Sequence, residues 1–243
     1  MVRGAVALIA TCMLLPGCGS GSDRTVLVFA AASLTDSFAE LESAFEAANL
    51  EVDVQLNLAG SSELREQVLE GAPADVLAVA DEAIMAEVVA ADLTVGEPRV
   101  FATNRLTLVV PDGNPGGVTG LGDLADESLL VGVCAAAVPC GRFAAEVFSR
   151  AGITPAPDTT EPDVRALLTK VAEDELDLGV VYVTDAIAGG ADVERIEIDD
   201  DVNVEARYPV VALTDSGDAA AFVAFVLSAE GQRVLAAQGF GTP

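Results

Sequence analysis

Val26-Leu27-Val28-Phe29-Ala30-Ala31-Ala32-Ser33-Leu34 is an apolar run that ends on a serine, and an amphipathic pattern follows it. Ala59-Gly60-Ser61-Ser62-Glu63-Leu64 repeats the arrangement after a second apolar run. Each reads as a β-strand, or the turn after it, handing over to a helix with a serine at the junction. The plain reading is that Ser33 and Ser61 are N-caps, their hydroxyls taken by the first helical turn. The functional reading starts from the unpaired N–H groups and positive dipole end of that turn, which suit an anion. Two such junctions facing one another would frame a cleft.

The pattern outward from these junctions alternates. Strand-like runs occupy 25–30, 52–58, 75–80, 105–111, 129–133, 178–183, 194–198 and 207–213. Helix-like runs occupy 34–48, 62–71, 82–91, 121–126, 141–151, 162–174, 184–188 and 217–237. Thr35-Asp36, Ser61-Ser62-Glu63, Asp81-Glu82, Pro162-Asp163 and Asp215 are start signals for helices. Alternation predicts an α/β fold with mostly parallel sheets. The Val/Leu-rich strands suit a sheet covered on both faces. Pro111-Asp112-Gly113-Asn114-Pro115-Gly116-Gly117 marks a domain edge. The expected architecture is two-lobed, with two α/β domains joined by two crossover strands. Lobe I takes 25–106 and 209–243, and lobe II takes 107–208. The long last helix packs back on the first lobe, and ligands bind between the lobes.

The N-terminus carries its own signals. Residues 1–17 have one early arginine and a short apolar segment, the pattern of a secretory signal. Leu15-Pro16-Gly17-Cys18 resembles the bacterial lipobox, which predicts lipid on Cys18 and a tether over 18–24; an ordinary signal peptide containing a cysteine is the alternative. No later segment reads as transmembrane. The protein is therefore expected outside the cytoplasmic membrane, held by its lipid. Cys134 and Cys140 remain in the exported part, and export favours a disulfide between them. Two free buried thiols are the alternative, and two thiols without histidine make a poor metal site.

Composition excludes several functions. Removing 1–17 takes one base from the 12 and none of the 39 acids, so the mature chain is strongly acidic. Such a chain does not bind nucleic acid by neutralising phosphates. An anionic ligand would meet a repulsive overall field and must be held by local dipoles. There is no histidine, which removes Ser-His-Asp and Cys-His machinery. No phosphate-binding glycine motif is present, so nucleotide cofactors have no seat. A carboxylate-based hydrolase is the one enzyme class left open, and no pair of acids stands out for it.

Four blocks carry a family resemblance. They are Phe29-Ala30-Ala31-Ala32-Ser33-Leu34, Gly71-Ala72-Pro73-Ala74-Asp75-Val76, Asp163-Val164-Arg165-Ala166-Leu167-Leu168 and Leu178-Gly179-Val180-Val181-Tyr182-Val183-Thr184-Asp185-Ala186. In this order and spacing the chain resembles the molybdate-binding proteins of bacterial ABC transporters. The resemblance implies a non-enzymatic receptor that captures molybdate, and tungstate with it, as a monomer and delivers it to an ABC permease. It implies no cofactor, and molybdenum enters only as the bound oxyanion. The implied ligand residues are the hydroxyls of Ser33, Ser61 and Tyr182 and the backbone N–H groups of Cys140 and Val164. Cys140 stands where the family has alanine, and a bond to Cys134 would brace that turn. Gly60 stands where the family often has another serine. Sulfate or phosphate on the same fold is the alternative ligand class. An amino-acid ligand would need an arginine for its carboxylate, and these blocks are read as supplying none.

Overall fold

The computed structural model describes residues 24–243. The expected signal peptide, Cys18 and the tether up to residue 23 lie outside the described residues.

Three strand–helix units begin the first lobe. β1 (Arg24–Ala31) runs into a 3-10 turn (Ala32–Leu34) and α1 (Thr35–Ala48); β2 (Val52–Ala59) leads to α2 (Ser61–Leu69), and β3 (Val76–Ala78) to α3 (Glu82–Ala90). β1 lies between β2 and β3, parallel to both. Its residues Val26, Val28 and Ala30 are fully buried, as a strand covered on both faces requires.

The chain then enters β4 (Val95–Pro111), seventeen residues long. Its first part, up to Arg105, pairs with β9 (Glu205–Ala212), and its last part, from Leu106, pairs with β7 (Leu178–Tyr182) and β8 (Val193–Ile196). One strand thus serves both lobes. β5 (Val131–Cys134), parallel to β6 (Thr159–Glu161) and to β7, completes the second lobe with α4 (Pro139–Ala151), α5 (Val164–Ala172) and α6 (Val183–Ala188). The path through all these strands is β2-β1-β3-β9-β4-β7-β5-β6, with β8 on β4. The fold is the expected two-lobed α/β type.

Four details differ from the sequence reading. β6 lies in a stretch read as neither strand nor helix, because three residues, Thr159-Thr160-Glu161, are too few and too polar to show a strand pattern. The expected strand 105–111 begins at Val95, because its first residues are solvent-facing and carry Gly96 and Pro98, which hide the strand pattern. The parallel pairs are confined to each lobe's interior; β4 and β9 pair antiparallel with their neighbours because they carry the chain across and back. The expected helix 217–237 is two helices, α7 (Gly217–Val226) and α8 (Ala229–Ala237), meeting at 55°. Ser228 makes the break, its hydroxyl accepting the Gly231 N–H as the cap of α8. No single helix among the described residues is long and apolar enough to cross a membrane.

The pair packs back on the first lobe. Phe222 of α7 meets Phe38 and Phe45 of α1 with ring centroids 6.2 and 5.2 Å apart. The Phe45–Phe222 pair is edge-on, an arrangement that adds about 0.5–1.5 kcal/mol beyond burial. This aromatic layer holds α1, and with it the turn that carries Ser33, against the sheet.

Candidate functional site

A cavity of ≈ 20 Å³ lies where the strand ends of the two lobes face each other. Ser33, Gly60, Ser61 and Ala80 line it from the first lobe; Val138, Cys140, Val164 and Tyr182 are among its lining on the second. The structure therefore brings Ser33, Ser61, Cys140, Val164 and Tyr182 to one place, as the sequence reading arranged them.

The serines are not caps. Ser33 lies inside the 3-10 turn and Ser61 is the first residue of α2, whose cap position is Gly60. Neither turn has a side-chain cap bond. The Ser33 hydroxyl sits 3.0 Å from the Tyr208 hydroxyl, and the Ser61 oxygen accepts the Ala80 N–H at 3.1 Å. An N–H can only donate, so Ser61 keeps its own proton for another acceptor.

Three helices begin at the cavity. In α2 the first internal bond runs from the Leu64 N–H to the Gly60 carbonyl, so the N–H groups ahead of it are left over. In α4, Pro139 has no N–H to satisfy and Arg142 makes the first bond, to Val138, leaving those of Cys140 and Gly141. In α5 the Asp163 carboxylate accepts from the N–H groups of Arg165 and Ala166, which leaves that of Val164. Asp163 thereby spends its charge on its own helix.

Cys134 and Cys140 are joined by a disulfide, with Cα atoms 5.8 Å apart. The bond closes the turn tightly over Gly141, where an added Cβ would stand 2.1 Å from the Ala135 carbonyl oxygen. Glycine is obligatory there.

Tyr182 ends β7 and is 1% exposed, and its hydroxyl, beside that of Tyr208, makes no hydrogen bond of normal geometry among the described residues. Burial raises the phenol well above its usual pKa, so it stays neutral and can donate. An orphaned buried hydroxyl at a cavity wall is costly unless a ligand meets it.

Contacts between the lobes close the cleft. Arg142 of α4 is ion-paired with Asp81, the cap of α3. Arg165 of α5 reaches Asp36 of α1 at 2.5 Å, and the Ser62 hydroxyl donates to the Ala137 carbonyl at 2.7 Å. Gly60 faces the Pro162 carbonyl so closely that a Cβ would stand 3.0 Å from its oxygen.

The reading that the family blocks supply no arginine is corrected here, since Arg165 lies in one of them. It does not line the cavity. Its Nε lies 2.8 Å from Asp185 Oδ1, a charge contact rather than an aligned hydrogen bond. Asp185 is fully buried. Burial raises its carboxyl to about 7, against the opposing pull of Arg165.

Sequence reasoning missed Tyr208, Ala80, Arg142 and the Arg165–Asp185 pair. Tyr208 looks like one more apolar residue of a strand, and Ala80 contributes only its backbone. Neither leaves a local signal. The ion pairs join residues far apart in the chain.

The arrangement can hold a small acceptor-rich anion with neutral donors. Such donors avoid burying an uncompensated protein charge. Among the described residues no group of three or more His, Cys, Asp or Glu could hold a metal ion.

Known proteins are similar to this chain in sequence and in fold. The family model described as "Bacterial extracellular solute-binding protein" matches residues 26–241. The molybdate-binding protein ModA of Mycobacterium tuberculosis (strain H37Rv) is 36% identical over 252 residues, covering 97% of each chain. The periplasmic molybdate-binding protein of Azotobacter vinelandii superposes with a TM-score of 0.79 at 18% identity, over 90% of this chain and 99% of that one. The sulfate-binding protein SubI of M. tuberculosis H37Rv does so equally, with a TM-score of 0.79 at 18% identity over 89% and 86%. The fold alone is therefore shared across ligands. The sequence match is what places the protein: it belongs to the bacterial extracellular solute-binding proteins, binding proteins rather than enzymes, on the branch of the molybdate-binding proteins.

Proposed function

We propose that this protein captures molybdate, and tungstate with it, in the cavity between its lobes and delivers it to an ABC permease. The observation that carries the reading is the Tyr182 hydroxyl, buried and unpartnered at a wall where three helix starts converge. Ser33, Ser61 and Tyr182 donate from hydroxyls, and Cys140 and Val164 from backbone N–H groups. Molybdate is an acceptor-only tetrahedral dianion, so each donor finds a partner. Hydrogen bonds to a charged group contribute about 1.5–3 kcal/mol each. Specificity follows from cavity size: tungstate matches molybdate closely, and the smaller sulfate leaves donors unpaired.

Lobe I is 25–106 with 209–243, lobe II is 107–208, and the monomer closes by bringing them together. Lipid on Cys18 would keep the receptor near its permease at high effective concentration. The support for this anchor is Leu15-Pro16-Gly17-Cys18 alone. Cys18→Ala should release the protein from membranes without changing its anion affinity.

Calorimetric titration tests the ligand. Molybdate and tungstate should bind far more tightly than sulfate or phosphate. Equal affinity for sulfate and molybdate would refute the assignment.

A further inference from the structure

The two cavity serines are held differently from behind. Ser61 receives the Ala80 N–H, a group that can only donate, so its proton is left for the cavity. Ser33 faces the Tyr208 hydroxyl, where either oxygen can be the donor. Its direction depends on what surrounds Tyr208. That side chain is fully buried on β9, the returning strand. Three aromatic rings stand edge-on around it, those of Phe101, Tyr182 and Phe240, with centroids at 6.3, 6.0 and 5.5 Å, and besides Ser33 the polar groups beside its hydroxyl are the Asn104 side chain and the Tyr182 hydroxyl. Burial raises its phenol far above the usual value, so the proton stays on it.

We infer that Tyr208 is a positioning residue: it donates to the Ser33 oxygen and thereby turns the Ser33 proton into the cavity. The inference rests on the anion-binding reading above. An acceptor-only anion takes the Ser33 proton, and Tyr208 supplies the proton that the Ser33 oxygen then accepts. A chain of two hydroxyls pointing one way strengthens each bond in it. Tyr208 lies on β9, the strand that brings the chain back to the first lobe, with its ring against that of Tyr182. One side chain thus orients the first lobe's donor while packing against the second lobe's. It does not touch the ligand.

The test is a double-mutant cycle with molybdate as the probe. Tyr208→Phe keeps the ring in its aromatic surroundings, so the fold should persist, and a thermal melt checks this. The variant should bind molybdate roughly 2- to 10-fold more weakly, the share of one neutral hydrogen bond. In a Ser33→Ala background the same change should have no further effect on affinity. Wild-type affinity in Tyr208→Phe overturns the inference. So does an equal loss in both backgrounds, which would mean that Tyr208 acts through packing and not through Ser33. The same four proteins compared by denaturant unfolding without anion give a second arm. Coupling there with none in binding would make the hydrogen bond purely structural and also overturn the inference. Failure of the wild type to bind molybdate would instead sink the functional reading, a separate outcome.

Discussion

Asp185 makes a definite demand on stability. Its carboxyl is fully buried beside Tyr182, with the Tyr182 N–H 3.3 Å away and Arg165 as its charge partner. Its pKa rises from 3.8 to about 7 in the folded protein, desolvation being the main cause. Between these values the unfolded chain has lost the proton and the folded one keeps it. Stability therefore falls as pH rises through this window. No loss is present below 3.8, and the loss is complete once pH exceeds about 7. A span of about three units at 1.36 kcal/mol each corresponds to roughly 4 kcal/mol, a large fraction of a domain's net stability. Asp185→Asn keeps the shape and removes the titration. Urea unfolding of both proteins, followed by circular dichroism from pH 4 to pH 8, measures the difference. The many other acids titrate in both proteins and cancel. The wild type should lose about 4 kcal/mol relative to Asp185→Asn across the range. Parallel pH profiles would refute the reasoning, because they would mean that Arg165 fully compensates the buried charge.

Other perturbations separate the remaining contributions. Ser61→Ala and Tyr182→Phe each remove one donor and should weaken molybdate binding by roughly 1–3 kcal/mol in titration, with little change in melting temperature. Gly60→Ala places a methyl against the Pro162 carbonyl oxygen across the cleft. It should lower affinity by about 1–3 kcal/mol, as overpacking does, and raise the dissociation rate in stopped-flow measurements. Replacing Cys134 and Cys140 by serine should cost only about 2 kcal/mol in unfolding, because the closed loop is short. It should weaken binding as well, because the Cys140 N–H is then held less firmly; unchanged affinity would show that the turn needs no brace.

Much of the fold was legible from local patterns. The apolar runs before Ser33 and Ser61 became β1 and β2, and Asp81 and Asp163 became caps of α3 and α5. Such signals are local because a strand's period and a cap's reach span only a few residues. The residues of the cavity were also legible, through four blocks whose order and spacing resemble one family. What they do with their hydrogens was not. Ser33 and Ser61 were legible as caps or as anion donors; neither caps its helix, and their hydroxyls meet Tyr208 and the Ala80 N–H. Ser33 and Tyr208 are 175 positions apart in the chain, and no sequence period connects them. Arg165, on α5, is shared between Asp36 and Asp185 on two other helices, and β4 belongs to both lobes. The sequence by itself determined where strands end and helices begin, and so where unpaired N–H groups collect. Only the tertiary structure decided which of those groups meet and which partner each hydroxyl finds. A hydroxyl proton turns freely until a partner from a distant part of the chain fixes it.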